Sequence, residues 1–283
     1  MPVVGVVRTI EGMRSLARRL GPLGLVLLFG VSLVPVASAA VAMPSDAAVS
    51  AAETSALTKI NEQRVSHGLV KLRLDGRLAA LARERAVYMA ENDLLSHTHA
   101  GGLAVWDLMS AQGIAWYGAG EIIALNTTSN LTSSATTAVK SWLGSPPHKS
   151  IMLSTQYNYI GMGVAVSPTT GRRYWAGVFL KGPDRTGARA TITSVSKANV
   201  SSKTAKVRIR WTGADTKLQI LTSGLGHFQT SRRMDAGAWS APASTTGTST
   251  TRSWARGHVF EFRVRAIDKK GNAGSWKVVT VRT

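Results

Sequence analysis

The hydrophobic pattern of the chain changes near residue 183, and this change constrains the fold more than any other feature of the sequence. Before it, apolar residues recur at helical spacing, most clearly over 76–94, where one face carries Leu78, Leu81, Ala82, Met89 and Ala90. After it, apolar and basic residues alternate along segments such as 204–212, a pattern typical of half-buried strands. The turn-forming residues of 182–187 lie between the two patterns. We therefore predict two domains of different structural class.

The domain before this boundary is predicted to be α+β. Helical spacing covers 53–66, 76–94, 103–112 and 132–143. Asp75 is suited to cap the second of these helices, and Pro146 and Pro147 end the last one. The spacing then becomes strand-like over 159–166 and 173–180, which predicts a hairpin. Helices followed by a late hairpin are typical of an α+β domain.

The first forty residues have the order of a secretory signal peptide. Four arginines precede an apolar run over 21–36, and small residues follow at 37–40. The run is shorter than the about 20 residues that a bilayer-spanning helix needs. We predict that 1–39 is a signal peptide that is cleaved, so that the protein is secreted and keeps no stable transmembrane span. The alternative is an uncleaved leader that anchors the chain in the membrane.

The positive charge of the chain is concentrated in its last hundred residues. The whole chain has 34 basic and 15 acidic side chains and a net charge of +19 at pH 7. Residues 184–283 contribute +13, whereas 1–39 and 40–183 contribute +3 each. Such a basic segment favours anionic partners, and we expect a cell-wall polymer or a membrane surface. The sequence contains no nucleic-acid-binding motif, and secretion further argues against nucleic acid as a partner.

Cysteine is absent from the sequence, which excludes a disulfide scaffold, a thiolate metal site and a cysteine nucleophile. Three other residues, His97, Glu121 and His148, are candidates for shared chemistry. The pattern places each of them at the edge of a structural element, where functional residues concentrate. Two imidazoles and a carboxylate suit a zinc site with an open position for water, and they equally suit general acid–base chemistry. Their spacing matches no local metal-binding signature, so the residues alone leave both alternatives open.

Between about 52 and 182 the chain carries an ordered set of short motifs. They are Asn61-Glu62-Gln63-Arg64, His67-Gly68-Leu69, Ser96-His97, Gly120-Glu121, Ser145-Pro146-Pro147-His148, Gly161-Met162-Gly163-Val164 and Tyr174-Trp175. This ordered set resembles the CAP superfamily, also called SCP, in its short bacterial form. The resemblance implies an α-β-α sandwich with a large surface cleft. In family members two histidines and one or two acidic residues line that cleft and can hold zinc or another divalent metal.

By position, His97 and Glu121 match the first histidine and the acid of the family pattern, and His148 matches the second histidine. Three positions depart from that pattern. Asparagine is replaced by Ile122 and Ile151, and a second glutamate of eukaryotic members is replaced by Ser145. A full tetrad of ligands is therefore excluded, which weakens a metal-hydrolase function more than a ligand-binding cleft. We place Trp116 and Tyr117, which precede a Gly-Ala-Gly-Glu turn, at the wall of this cleft.

The domain after the boundary is predicted to be an all-β sandwich that resembles a fibronectin type III module. Strand patterns cover 204–212, 217–221, 258–267 and 276–281. In such a module the strand carrying Arg208 and Arg210 and the strand carrying Arg263 and Arg265 belong to opposite sheets. The basic charge is then spread over two faces, which favours diffuse attraction to a polyanion over a shaped nucleic-acid site.

The predicted organisation is a signal peptide at 1–39, a linker at 40–51, a CAP-like domain at 52–182, a second linker at 183–190 and the basic module at 191–283. We expect a secreted protein that binds a small lipidic or peptide ligand in its cleft and is held at an anionic cell envelope by its basic module. This favoured function is not enzymatic. One alternative is a metal-assisted hydrolase in which His97 and His148 bind zinc and Glu121 is a ligand or general base. A purely structural or adhesive role is the other alternative.

Overall fold

The computed structural model describes residues 44–283, so the predicted signal peptide at 1–39 lies outside the described residues. The helices of the N-terminal domain are Asp46–Ser66 (α1), Gly76–Glu91 (α2), Val105–Ala111 (α3), Leu131–Gly144 (α4) and Pro146–Met152 (α5). Its strands are Arg73–Leu74 (β1), Gly118–Asn126 (β2), Tyr159–Val166 (β3) and Arg173–Lys181 (β4). Within 44–283, none of the helices has the length and apolar character needed to cross a bilayer.

The four strands form one mixed sheet in the order β1-β3-β4-β2. β1 runs parallel to β3, and the other neighbouring pairs are antiparallel. Alternate residues of β4 face opposite ways: Trp175 and Phe179 pack with α1 and α4, whereas Tyr174 and Val178 pack with α2 and α3. The domain is therefore a three-layer α-β-α sandwich, as the resemblance implied.

Helix α2 packs directly on the backbone of β3. A Cβ atom at Gly161 would come within 2.1 Å of the carbonyl carbon of Leu78, and one at Gly163 would come within 2.3 Å of that of Ala82. Only glycine allows the two backbones to approach so closely. Asp75 caps the helix by accepting hydrogen bonds from two backbone N–H groups of its first turn, as predicted. The position of α2 on the sheet is thereby fixed at its start and along its length.

Three elements of this domain differ from the sequence prediction. Helix α1 begins at Asp46, inside the predicted linker at 40–51, because the Ser45 side chain caps it by accepting a hydrogen bond from the Ala48 N–H. The glycine-rich segment predicted as a turn is the start of strand β2. Pro146 ends α4 and also begins α5, because the first helical turn needs no N–H from proline.

The C-terminal module is a sandwich of two antiparallel sheets. One sheet has the order β5-β6-β9 and contains Arg189–Asn199 (β5), Thr204–Ala214 (β6) and Ser249–Ala255 (β9). The other has the order β11-β10-β7-β8 and contains Leu225–Met234 (β7), Ala243–Thr245 (β8), Val259–Asp268 (β10) and Lys277–Arg282 (β11). Arg208 and Arg210 lie on β6 and Arg263 and Arg265 on β10, which confirms that the two pairs belong to opposite sheets.

The loop between β6 and β7 docks the module onto the N-terminal domain. Its segment 217–221 is not the predicted strand. Leu218 is 2% exposed and joins the apolar cluster of α2 and α3. Gln219 Oε1 accepts a hydrogen bond from the Val70 N–H at 2.7 Å, and Asn158 Nδ2 donates to the Ile220 carbonyl at 3.4 Å. The apolar residues that suggest a strand are therefore buried by the other domain.

The segment between the domains, predicted as a linker at 183–190, is held from both sides. The Asp184 carboxylate is buried and accepts a hydrogen bond from the Ser223 N–H at 2.8 Å. Asn272 Nδ2 donates to the Asp184 carbonyl at 2.9 Å. On the other side, Arg185 forms an ion pair with Asp75, the capping residue of α2. These contacts and the docked loop fix the two domains relative to each other.

Candidate functional site

The three predicted site residues come from three different elements of the N-terminal domain. His97 lies in the loop after α2, and His148 is the third residue of α5. Glu121 lies in the middle of β2, which is an edge strand of the sheet, and it is 7% exposed. The prediction that all three lie at element edges is therefore wrong for Glu121, because the glycines that precede it belong to the strand.

Beneath Glu121 lies Arg85 of α2, a functional candidate that the sequence reasoning missed. Its side chain is fully buried, and its Nε donates a hydrogen bond to Glu121 Oε1 at 2.8 Å. Its Nη2 donates to the Ser96 carbonyl at 2.6 Å. Arg85 lies one helical turn from both Leu81 and Met89, so it interrupts the apolar stripe of α2. That interruption is the available sequence signal, because a buried charge requires a buried partner.

The Arg85–Glu121 pair fixes the charge of the site. Both side chains are at most 4% exposed, so the pair is a buried ion pair. Within a buried pair each charge is stabilised mainly by the other, since water is absent. The carboxylate of Glu121 is therefore already paired with Arg85 when it meets any further group.

His97 is oriented by the same carboxylate. Its Nδ1 lies 2.7 Å from Glu121 Oε2, so the ring donates its Nδ1 hydrogen and leaves Nε2 without that proton in the neutral form. The imidazole is 57% exposed. The Arg85 contact to the Ser96 carbonyl holds the residue just before it. His97 thus presents a hydrogen-bond acceptor to solvent from a fixed ring.

His148 lies close enough to His97 for their charges to interact. Its Nδ1 is 2.8 Å from Ser145 Oγ, which leaves Nε2 for another partner. Partial burial lowers the pKa of His148 below its ordinary value of 6.5, and the positive charge of His97 lowers that pKa further. The two imidazoles are therefore within electrostatic reach of each other.

Trp116 and Tyr117 lie in the loop just before β2. Trp116 Nε1 donates to Ser110 Oγ at 3.1 Å, and the Tyr117 side chain is 63% exposed. Among residues 44–283, neither aromatic ring shares a hydrogen bond or a ring contact with His97, Glu121 or His148. Tyr117 is four residues from Glu121, or about 13 Å along a strand. Their place at a cleft wall stays a prediction.

His99 takes no part in the group either. Its Nε2 lies 3.3 Å from Glu84 Oε1, and its ring meets the edge of Tyr88 with 4.2 Å between centroids. These contacts are made on the exposed side of α2. His99 therefore contacts α2 and none of the other candidate site residues among those described.

The donor set does not fit a zinc centre with three protein ligands. The ligand atoms of His97, Glu121 and His148 do not all lie within 4.8 Å of one another among the described residues. Both oxygens of Glu121 already accept hydrogen bonds, one from Arg85 and one from His97. Two imidazole nitrogens remain, whereas catalytic zinc sites use three protein ligands. In this arrangement Glu121 orients a histidine and compensates an arginine.

A family model described as "CAP: Cysteine-rich secretory protein family" matches residues 57–179. Residues 57–179 form a CAP domain. The resemblance carried by the short motifs is thereby confirmed for this segment. The CAP domain contains all five predicted site residues and also Arg85.

Comparison with known proteins finds relatives that match this chain in part. The uncharacterized membrane protein YlbC of Bacillus subtilis is 31% identical over 129 residues, which are 46% of this chain and 34% of YlbC. The chain thus spans about a third of that relative's length. A solved outer surface protein of Borrelia burgdorferi is similar over 50% of this chain and 98% of its own, with 22% identity and a TM-score of 0.44. A solved extracellular SCP-domain protein of Bacillus anthracis is similar over 47% of this chain and 41% of its own, with 22% identity and a TM-score of 0.41.

The buried pair generates a stability prediction for the CAP domain. Glu121→Gln leaves the charge of Arg85 uncompensated, and we expect it to lower the free energy of unfolding by about 3 to 5 kcal/mol. Chemical denaturation measures this change. Glu84→Gln is the matched control, because its carboxylate is 43% exposed and pairs only at the surface. We expect that control to change the stability by less than about 1 kcal/mol.

The double variant Arg85→Met with Glu121→Gln removes both charges of the pair. Because no uncompensated charge is left buried, we expect it to recover most of the free energy of unfolding that Glu121→Gln loses. Equal losses in Glu121→Gln and Glu84→Gln, or no recovery in the double variant, would contradict a buried compensated pair.

The position of His148 in the CAP domain generates a pH prediction. We expect His97→Asn to raise the pKa of His148, because it removes the nearby positive charge, and to leave it below the ordinary value, because burial remains. Titration of the imidazole resonances by NMR measures this. The control His67→Asn changes an exposed histidine at the end of α1 and should leave the His148 titration unmoved.

The same shift sets the direction of a stability change with pH. Folded His148 binds its proton more weakly than the unfolded chain does, so its protonation opposes folding. Above the ordinary pKa of about 6.5, His148 is neutral in both the folded and the unfolded chain, so it does not affect the free energy of unfolding there. Stability then decreases as the pH falls from that value through the folded pKa. A His148 resonance that titrates above its ordinary range would overturn this prediction.

Proposed function

We propose that this is an exported protein that binds a small lipidic or peptide ligand at the histidine pair of its CAP domain and is held at an anionic envelope surface by its C-terminal module. The observation that carries the ligand-binding part is the compensated arrangement of Arg85, Glu121 and His97. Because Arg85 neutralises Glu121, the groups left to face a ligand are imidazole nitrogens that form hydrogen bonds. Such a site suits an uncharged polar group on a mostly apolar ligand.

Export rests on the order of charged, apolar and small residues over 1–39. The cleavage of this leader is part of the proposal. After cleavage the basic module would remain as the contact to the envelope, since it carries most of the positive charge of the chain.

The second candidate function is the metal-assisted hydrolase. The proximity of His97 and His148 favours it, because two imidazoles are the commonest start of a transition-metal site. Glu121 argues against it, since that carboxylate is engaged by Arg85 and His97 and supplies no free ligand. Zinc binding by this chain therefore stays a prediction of the resemblance.

The C-terminal module is proposed to be fibronectin type III-like. Its two sheets contain seven antiparallel strands, and its first two strands pair in one sheet with a later strand, β9. The second sheet is formed by β7, β8, β10 and β11. This order of strands supports the resemblance that the alternating sequence pattern suggests.

The basic surface of this module has one organised feature, an arginine–tryptophan ladder on the outer face of β7 and β10. It consists of Arg233, Trp239, Arg263, Trp276 and Arg265, stacked in that order. The guanidinium carbons lie 4.3 to 4.7 Å from the indole ring centroids. Stacking restrains the guanidinium planes, so less conformational freedom is lost when they bind an anion.

The ladder refines the prediction of a diffusely basic module. The paired strands place these arginines on one face of one sheet, whereas Arg208 and Arg210 lie on β6 of the other sheet. Interleaved tryptophans hold the arginines of β7 and β10 in a row, and no such stacking is present for Arg208 or Arg210 among residues 44–283. We therefore propose the ladder as the main contact to an anionic polymer or headgroup layer.

The ligand-binding part is tested by asking what the purified protein holds. We expect native mass spectrometry to find an organic molecule of low mass on the wild type and to lose it with His97→Ala. Calorimetric titration with zinc chloride at neutral pH should show no binding tighter than about 1 μM, because two ligands are one short of a stable site. Tight uptake of one zinc, lost in both His97→Ala and His148→Ala, would favour the hydrolase and contradict this proposal.

The envelope part is tested with phosphatidylglycerol vesicles, using neutral phosphatidylcholine vesicles as the reference. We expect binding to weaken steeply with salt, because exposed charges are screened. Each basic residue near an anionic surface contributes about 1 kcal/mol, so Arg263→Gln with Arg265→Gln should weaken binding by about thirty-fold. Arg208→Gln with Arg210→Gln removes the same charge from the other sheet and should have a smaller effect. Equal effects would refute the ladder, and salt-independent binding would refute the tether.

A further inference from the structure

Two arginines of the C-terminal module occupy positions that face its interior. In the paired strands Arg252 of β9 lies opposite Val207 of β6, and Arg232 of β7 lies opposite Phe262 of β10. Residues directly opposite each other in an antiparallel pair project from the same face of the sheet. Val207 and Phe262 are core residues, so the arginines break the pattern of apolar residues inside and polar residues outside.

The two inward arginines have no anionic partner in the described part of the chain. Neither side chain forms a salt bridge or a side-chain hydrogen bond within 44–283, although other arginines of the module do, such as Arg233 with Glu261. Interior-facing charges are costly unless they are paired or hydrated. Arg232 and Arg252 stay exposed because the two sheets do not close against each other on this side.

The opening between the sheets is a cavity of about 340 Å³ with an apolar floor and a cationic rim. The floor is formed by Val207, Ile209, Trp254, Phe260 and Phe262, and the rim includes Arg232 and Arg252. Its size is at the lower end of the range found for small-molecule sites, about 300 to 1,000 Å³.

An unsatisfied donor lies in the same wall. The Trp254 Nε1 atom is buried and has no hydrogen-bond partner within 44–283, while its ring stacks on Phe260 with 3.9 Å between centroids. Trp254 and Arg252 are two residues apart on β9 and face the same way.

We propose that this cavity binds a single-chain anionic amphiphile, with the acyl chain between the sheets and a carboxylate at Arg232 and Arg252. The apolar floor matches the chain, and the two unpaired guanidinium groups match a carboxylate, which arginine binds with paired hydrogen bonds. This site lies in the C-terminal module and goes beyond the proposed function, since it shares no residue with the His97–His148 group.

Calorimetric titration of the full chain with dodecanoate, below the concentration at which dodecanoate forms micelles, tests the proposal. We expect saturable binding of one dodecanoate in this cavity. Arg232→Gln or Arg252→Gln should each weaken this binding by about tenfold or more, because each removes a charged hydrogen-bond donor. Dodecyl maltoside, which has the same chain and no charge, should bind much more weakly.

Two further variants separate the outcomes. Ala241→Trp places a bulky ring at an exposed position of the cavity wall without touching the arginines, and it should block binding. Arg208→Gln removes an equal charge from the outer face of β6 and should leave dodecanoate binding unchanged.

The proposal is overturned by an absence of saturable binding, by equal weakening in Arg208→Gln, or by binding that survives Ala241→Trp. Loss of binding with His97→Ala alone would place dodecanoate in the CAP domain and would also overturn it, while supporting the proposed function. If dodecanoate does not bind but Arg252→Gln causes aggregation, then the inward charge protects the exposed edge of β9 from pairing with another chain.

Discussion

The buried ion pair between Arg85 and Glu121 is the interaction on which the candidate site depends. It joins α2, which packs on the glycine backbone of β3, to β2, an edge strand of the same sheet. The same arginine holds the Ser96 carbonyl, and the same carboxylate orients His97. The loop that carries His97 is thus held in place by the buried Arg85–Glu121 pair. The chemistry offered to a ligand follows from this support.

Much of the fold could be predicted from hydrophobic spacing, because the helices of the CAP domain bury one face and its hairpin strands, buried on both faces, are short apolar runs bounded by turns. Strand β2 was harder, since glycines at its start are typical of turns; Gly120 is needed because a Cβ there would approach the Tyr157 hydroxyl within 2.7 Å. The loop containing Leu218 imitates a strand, because its apolar residues are buried by another domain and not by a neighbouring strand. Hydrophobic periodicity indicates which residues are buried, but it does not indicate which part of the protein they pack against.

The candidate site was only partly predictable for a similar reason. His97, Glu121 and His148 stand out as side chains that can do chemistry, and the structure joins His97 to Glu121 and leaves His148 within electrostatic reach of His97. Arg85 was not singled out, because the hydrophobic pattern of α2 does not show that its partner is Glu121, 36 residues further along the chain. The inward arginines of the C-terminal module were hidden as well, because the faces of β7 and β9 become known only once their partners in the sheets are known.

The docked loop at Leu218 and the held segment at Asp184 have a mechanical consequence. A flexible linker would let a tethered domain point in every direction, and its reach would grow with linker length. Here the CAP domain and the ladder are parts of one body, so a surface that holds the ladder also sets the direction in which the exposed His97 ring faces. If the proposed envelope contact is made by the ladder, the contact between the two domains would also fix how the CAP domain is oriented relative to that surface.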